Sequence, residues 1–114
     1  MNKILLLVGL LFSVVANAAP SETGEIEFLQ IHKVPESTGN SDNRYIVKLA
    51  NSEISDNNCG YDQWTGYFDT EAGKAQYAAV LSAAISDKKI LIEGTSSTTC
   101  QGGNQIIRNV YVAW

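Results

Sequence analysis

Apolar and polar residues alternate with a period of two in several short stretches, and this pattern predicts β-strands. The first stretch begins at Glu25, and its phase shifts at Leu29, which indicates a bulge or a strand buried on both faces. The second covers residues 44–50 and places Tyr45, Val47 and Leu49 on one face. Three further strands are predicted over residues 63–68, 90–92 and 106–114.

One stretch between the third and fourth predicted strands has the spacing of a helix. Asp69 or Thr70 can cap its start, and Glu71 in the first turn complements the helix dipole. Apolar residues then recur at intervals of three and four, which predicts one buried stripe formed by Tyr77, Val80, Leu81, Ala84 and Ile85. The charged sequence DKK at residues 87–89 is expected to end the helix.

The predicted order is β-β-β-α-β-β, a mainly β chain with one helix. Five strands with a helix between the third and fourth are the arrangement of the OB-fold, a small and partly open Greek-key barrel. The alternative is an open antiparallel α+β sheet with the helix across one face. We expect residues 19–114 to form a single small domain of this kind.

The first eighteen residues are predicted to be a signal peptide rather than part of the fold. Lys3 precedes an apolar run of about a dozen residues, and ANA at positions 16–18 is an A-x-A cleavage pattern. The run is too short to span a bilayer, which needs about twenty apolar residues, and no later segment is longer. The product is therefore expected to be periplasmic or secreted, without a membrane span.

The charge balance argues against nucleic acid as a partner. The chain has a formal net charge of −4 and no basic cluster. Nucleic-acid binding requires Lys and Arg side chains that displace counterions from phosphates, and anionic membrane surfaces make a similar demand.

Cys59 and Cys100 are the two cysteines of the chain. In an exported protein, an even number of cysteines favours a disulfide. A zinc site or a catalytic thiolate remains an alternative, but zinc needs more ligands, a catalytic thiolate needs a histidine partner, and His32 is the single histidine.

The sequence does not predict an enzyme, a cofactor or a metal site. A serine or cysteine nucleophile needs a nearby base, and the chain has a single histidine. Carboxylate pairs such as Asp62 with Asp69 are therefore the remaining catalytic option. The stretch DNNCGYD at residues 56–62 has oxygens at alternate positions, as calcium loops do. It departs from the EF-hand template because its glycine comes one position early and Tyr67 stands where the closing Glu belongs.

The stretch CGYDQWTGYFDT, residues 59–70, is rich in aromatic rings. In a strand, Trp64 and Phe68 point to one face and Tyr67 to the other. We expect Trp64 and Phe68 in the core, Tyr67 on the outer face, and Tyr61 in the loop beside the cysteine. Tyr61 and Tyr67 are therefore the aromatic candidates for ligand contact.

Two polar loops complete the candidate site. OB-folds bind ligands on the face of strands 2 and 3 and with the loops after strands 1 and 4. Those loops correspond here to residues 35–43 and 95–105. Their candidate ligand-binding side chains are Asn40, Asn43, Thr98 and Asn104.

The predicted export, disulfide and element order, together with the passage YAAVLSAAISDKKILIEG, resemble the B subunits of bacterial AB5 toxins and related small exported OB-fold proteins. This resemblance implies a receptor-binding module, typically one that binds glycans and assembles into a ring. The functional prediction is an exported binding module for a glycan or another small polar ligand, and a homo-oligomer is possible. The alternative is a protein–protein interaction subunit: an envelope inhibitor, an adaptor or an oligomer-forming partner.

Overall fold

A computed structural model of the chain describes residues 19–32 and 43–112. The predicted signal peptide, Asn40 and Trp114 lie outside the described residues. One helix and seven strands form this described part, in the order β1 (Ser21–Gly24), β2 (Ile26–His32), β3 (Arg44–Leu49), β4 (Trp64–Tyr67), α1 (Glu71–Ile85), β5 (Ile90–Gly94), β6 (Cys100–Gln101) and β7 (Asn104–Val112).

The strands form one sheet of mixed orientation. Its neighbours follow the order β1-β5-β7-β4-β3-β2, and β6 pairs with β7. Five of the six strand pairs are antiparallel, whereas β4 and β7 are parallel. The predicted phase shift in the first strand corresponds to a register shift between Ile26 and Phe28 in β2.

The prediction of a mainly β chain with one helix is confirmed, whereas the predicted closure of the sheet into a barrel is wrong. β1 and β2 stand at the two ends of the strand order and are separated in sequence by Glu25 alone. Within the described ranges they pair with different partners, β5 and β3, so the sheet is not closed into a barrel. The open-sheet alternative is correct on this point, but the parallel β4–β7 pair shows that the sheet is not purely antiparallel.

The core lies on the face of the sheet that carries Tyr45, Val47 and Trp64, each fully buried. The predicted inward face of β3 and the predicted core position of Trp64 are thus confirmed. The opposite face of β3 is also enclosed, since Arg44 and Ile46 are each 7% exposed. β3 is therefore buried on both faces.

Three aromatic rings pack together where the sheet meets the helix. The ring of Tyr45 lies 5.4 Å from that of Phe68 and 5.2 Å from that of Tyr77, and Phe68 and Tyr77 are 4.9 Å apart. The rings are tilted or edge-to-face, the arrangement that their quadrupoles favour. Burial raises the pKa of the Tyr45 phenol above its ordinary value. These contacts fix the helix on the sheet.

The helix begins as predicted, but its buried stripe is narrower. Thr70 is the N-cap, and its hydroxyl oxygen accepts a hydrogen bond from the Gly73 N–H at 2.9 Å. Val80 is buried, whereas Leu81 is 37% and Ile85 is 76% exposed. The predicted stripe is wrong for these two residues. The helix contacts the sheet along a narrow line, and Leu81 and Ile85 lie beside that line.

Gly73 allows the first turn of the helix to approach β4. A Cβ atom at this position would overlap the carbonyl oxygen of Tyr67, which belongs to the backbone and cannot rotate away. We therefore expect Gly73→Ala to lower the free energy of unfolding by about 1–3 kcal/mol, the usual cost of overpacking. Alanine is otherwise the better helix former by about 1 kcal/mol, so the predicted sign is opposite to that of helix propensity. Urea denaturation monitored by circular dichroism measures this free energy of unfolding.

Ala75→Gly is the matched control, because Ala75 is exposed in the same helix. The free energy of unfolding of this variant should fall by about 1 kcal/mol because of the lower helix propensity of glycine alone. A Gly73→Ala variant more stable than the parent protein would contradict the close approach of helix and strand.

Candidate ligand-binding cleft

A cleft opens where the parallel pairing of β4 and β7 stops. The two strands pair at Trp64–Gln105 and Thr65–Ile106, and the first turn of α1 lies across the chain beyond these pairs. The cleft has a volume of about 310 Å³. We call it the β4–β7 cleft, and it is lined by Gly66, Tyr67, Asp69, Thr70, Ala72, Gly73, Gln76, Thr95, Ile107 and Arg108.

The lining residues include one aromatic residue and several polar ones. Tyr67 is half-buried, and the exposed side chains of Asp69 and Arg108 supply one negative and one positive charge. The amide nitrogen of Gln76 donates to the carbonyl oxygen of Arg108 at 2.7 Å and so ties α1 to β7 across the cleft. A half-buried ring with a few convergent polar groups is the usual composition of a small-molecule site.

Gly66 forms part of the wall because a larger residue does not fit there. A Cβ atom at this position would overlap the ring and hydroxyl group of Tyr45, which lies directly opposite Gly66 in the neighbouring strand. The Tyr45 hydroxyl is buried and makes no hydrogen bond to any residue that the structure describes. The cleft wall is therefore backed by the aromatic cluster.

Tyr67 and Asn43, two of the residues predicted from the sequence, lie at this end of the sheet. Tyr67 lines the cleft, and its position opposite Arg44 places it on the face away from the core, as predicted. Asn43 is exposed immediately before β3, and its carbonyl oxygen accepts from the Phe68 N–H at 3.2 Å. The remaining residues of its predicted loop are not described.

Tyr61 and Thr98 lie elsewhere, each two residues from a cysteine of the disulfide. Cys59 and Cys100 are bonded, with 5.8 Å between their Cα atoms, so the disulfide prediction is confirmed. Tyr61 is 59% exposed, and its ring lies against Gly103. Thr98 is exposed in the loop that the disulfide joins to Cys59. Neither residue lines the β4–β7 cleft.

Asn104 is not in an open loop, and the predicted loop over residues 95–105 is wrong at this end. The chain forms the short strand β6 and turns back through Gly102 and Gly103, both with positive φ. Such a two-residue hairpin turn requires residues that tolerate this conformation. Asn104 then begins β7 and is 2% exposed, with its side-chain oxygen lacking a hydrogen-bond partner.

The acidic loop considered for calcium uses its oxygens within the protein. The Asp62 carboxylate accepts from the Asn57 amide at 2.9 Å and from the Ile54 N–H at 3.4 Å. Asn57 also accepts from the N–H of Cys59 at 2.9 Å. Across residues 19–32 and 43–112, no group of three or more His, Cys, Asp or Glu side chains is placed to hold a metal ion.

Sequence reasoning missed the cleft residues Gln76 and Arg108. Arg108 alternates with the buried Ile107 in the last strand, which marks its side chain as outward-facing but gives no reason to connect it with Tyr67. The connection depends on the parallel β4–β7 pair, whose members are far apart in sequence. No periodicity in the sequence encodes this pairing.

Comparisons with models of known protein families, with curated proteins and with solved structures give no match. The resemblance to toxin B subunits therefore stays a prediction. In the described part of the chain, no helix has the length and apolar character needed to cross a membrane.

Proposed function

We propose that the protein is an exported binding module for a glycan or a similar small polar ligand, which it holds in the β4–β7 cleft. The observation that carries this proposal is the composition of the cleft, whose lining residues include Tyr67 together with residues that carry charged, amide and hydroxyl groups. A sugar ring has a C–H face that packs on an aromatic ring and hydroxyl groups that need hydrogen-bond partners. The volume of the cleft, about 310 Å³, is at the small end of the range for ligand sites.

Each part of a bound sugar has a candidate partner. The Asp69 carboxylate accepts hydrogen bonds from hydroxyl groups, and the Arg108 guanidinium donates to their oxygen atoms. The hydroxyl group of Thr70 is engaged with the Gly73 N–H, so Thr70 stabilises the helix start rather than the ligand. The tie between Gln76 and β7 holds the two walls at a fixed distance. A rigid site of this kind loses little conformational entropy on binding.

Export is supported by the disulfide. Cytosolic proteins rarely keep disulfides, whereas periplasmic and secreted proteins commonly do. The Cys59–Cys100 bond joins the loop before β4 to the short strand β6.

The proposal predicts that Tyr67→Ala weakens glycan binding by about tenfold or more, the loss typical of truncating a central aromatic contact. Tyr67→Phe keeps the ring and should retain most of the affinity. Screening on a glycan array, followed by titration of the best ligand, measures the effect. Tyr61→Ala is the matched control, because it removes an exposed tyrosine outside the cleft. Melting curves of each variant separate lost contacts from lost folding.

An array on which the parent protein binds no saccharide would contradict the hypothesis that the ligand is a glycan. Equal losses for Tyr61→Ala and Tyr67→Ala would contradict the placement of the ligand in the cleft.

The second candidate function is a protein–protein interaction subunit, and an observation on β2 favours it. β2 stands at one end of the strand order, and Phe28 is 37% and Ile31 is 57% exposed along it. An edge strand with exposed apolar side chains can add a strand from a partner. Under this function, Ile31→Lys should abolish a complex that Tyr67→Ala leaves intact, as measured by light scattering and pull-down with the parent protein.

A further inference from the structure

We infer that two copies of the chain associate through β2, whose strands pair in antiparallel orientation about a two-fold axis at Gln30. The pairing joins the sheets of the two copies into one. This inference rests on the second candidate function, the interaction subunit, and identifies its partner as a second copy of the chain. We call residues 28–32 the β2 edge surface.

The β2 edge surface lacks the features that usually keep an edge strand from pairing. In the described part of the chain, β2 stands at one end of the strand order and pairs with β3 alone. Edge strands are commonly protected by lysine, proline or a bulge. The surface contains neither lysine nor proline, and the register shift of β2 lies before it, between Ile26 and Phe28. Its residues therefore suit the addition of a further strand.

Apolar side chains are exposed on both faces of this surface. On the helix side, Ile31 lies opposite Tyr45 and is 57% exposed. Leu29, on the same side, is half-buried against the core. On the other face, Phe28 lies opposite Lys48 and is 37% exposed. A strand added at this edge removes apolar area from water on both faces, which is favourable.

One flank of α1 extends the apolar surface on the helix side. Gln76 is hydrogen-bonded to β7, whereas Tyr77 packs on Tyr45 of β3, so the flank that carries Tyr77 is turned toward β2. Leu81 and Ile85 follow Tyr77 at intervals of four on this flank, and they are 37% and 76% exposed. A partner at β2 therefore approaches the side of the molecule on which these two side chains are exposed.

The β2 edge surface is complementary to itself in one antiparallel register. With Gln30 opposite the partner's Gln30, Leu29 lies opposite the partner's Ile31, and Phe28 lies opposite the partner's His32. Two-fold symmetry makes each unlike pair occur twice. Apolar side chains then meet on the helix side and aromatic rings on the other face, and such cross-strand pairs stabilise antiparallel strands.

The charge of the chain also favours this register. The chain has a formal net charge of −4, so two copies repel each other unless the surfaces in contact are free of acids. The β2 edge surface contains no acid, and the adjacent Glu27 is paired with Lys48 at 3.2 Å. In the neighbouring register, centred on Leu29, Glu27 would lie opposite the partner's Ile31. The register centred on Gln30 keeps acids out of its five pairs.

Sedimentation velocity and light scattering of the parent protein, at concentrations up to about 1 mM, test the association. We expect a reversible dimer and no larger species, because a two-fold contact uses the same surface on both copies and closes. In NMR spectra, the resonances that shift with concentration should belong to the β2 edge surface. A protein that stays monomeric throughout, or whose shifts lie elsewhere, overturns the inference.

Two substitutions at the axis test the register. Gln30→Lys and Gln30→Glu each place like charges opposite each other, so each should raise the dimer dissociation constant by about tenfold or more. Mixed in equal amounts, the two variants place lysine opposite glutamate and should restore dimer formation to the level of the parent protein. Because the first variant lowers the net negative charge and the second raises it, a weakening shared by both comes from the contact and not from overall charge.

Controls separate the contact from effects on folding. Gln30 is exposed, so neither variant should alter folding, and melting curves check this. Ser82→Lys and Ser82→Glu are the matched controls, because Ser82 is exposed on the side of α1 opposite the buried Val80. Both control variants should form dimers as the parent protein does.

The outcomes separate this inference from the functions proposed above. Equal association of the parent protein and both Gln30 variants, or a mixture of the two variants that does not associate, overturns the pairing at Gln30. If the parent protein stays monomeric but binds a different protein through Ile31, the inference is overturned and the interaction subunit stands. Tyr67→Ala should leave the dimer intact, so a glycan array without binding bears only on the β4–β7 cleft.

Discussion

Trp64→Ala is expected to lower the free energy of unfolding by about 3–5 kcal/mol, the largest effect of any single side chain in the described fold. Trp64 is fully buried in the core cluster. Its indole N–H donates to a carboxylate oxygen of Glu22 at 3.0 Å, and Glu22 is 9% exposed. The substitution therefore opens a cavity and also removes a hydrogen bond from a buried acid. Domains of this size have a total stability of about 5–15 kcal/mol, so this loss is a large fraction of the total.

Trp64→Phe separates the two contributions. It keeps most of the apolar volume but removes the N–H group, so we expect a smaller loss of about 1–3 kcal/mol from the unsatisfied carboxylate. Glu22 retains its bonds from the Ser52 hydroxyl at 2.6 Å and the Glu53 N–H at 2.7 Å, which limits this loss. Urea denaturation monitored by far-ultraviolet circular dichroism is the suitable measurement, because Trp114 complicates fluorescence. A Trp64→Ala variant within 1 kcal/mol of the parent protein would show that the ring is not part of the core.

The sequence predicts the elements of this fold better than it predicts their assembly. Alternation in β3 identified its inward residues Tyr45, Val47 and Leu49, because one face of that strand packs on the core and apolar side chains mark that face. The start of the helix was also predicted, with Asp69 or Thr70 as the cap, since the interaction of Thr70 with Gly73 is local. β6 was missed because a strand of two residues has no periodicity.

The cleft could be predicted only in part for the same reason. Tyr67 was identified from alternation within a single strand, but Gln76 and Arg108, which line the cleft with it, come from the helix and from β7. One-residue differences in register would exchange the residues that face the cleft for those that face the core. The exposed Leu81 and Ile85 illustrate the limit for helices: spacing shows which residues share a face, whereas the width of the contact depends on the sheet beneath.

Replacing both cysteines is expected to reduce the free energy of unfolding by about 4 kcal/mol in the chain-closure model, within the 2–5 kcal/mol typical for small exported domains. The bond joins residues separated by 41 positions, so it restricts the unfolded chain over more than a third of its length. It also holds the loop of Tyr61 against the β6–β7 hairpin, where the Tyr61 N–H donates to the Gly103 carbonyl oxygen at 2.9 Å. The Cys59→Ala/Cys100→Ala variant is compared with the parent protein by urea denaturation.

Two further samples identify the cause of the loss. The parent protein unfolded in the presence of reductant should approach the stability of the double variant, because both lack the cross-link and retain nearly the same side-chain volume. Ser97→Ala, in the same loop, should stay within about 0.5 kcal/mol of the parent, since Ser97 contributes its backbone carbonyl oxygen to Asn58 and Gln105 and the substitution leaves that atom in place. If the oxidised protein, the reduced protein and the double variant unfold at the same urea concentration, the disulfide does not stabilise the fold. Its role would then be confined to holding Tyr61 in place, and a changed Tyr61 environment with unchanged stability would show this in NMR spectra.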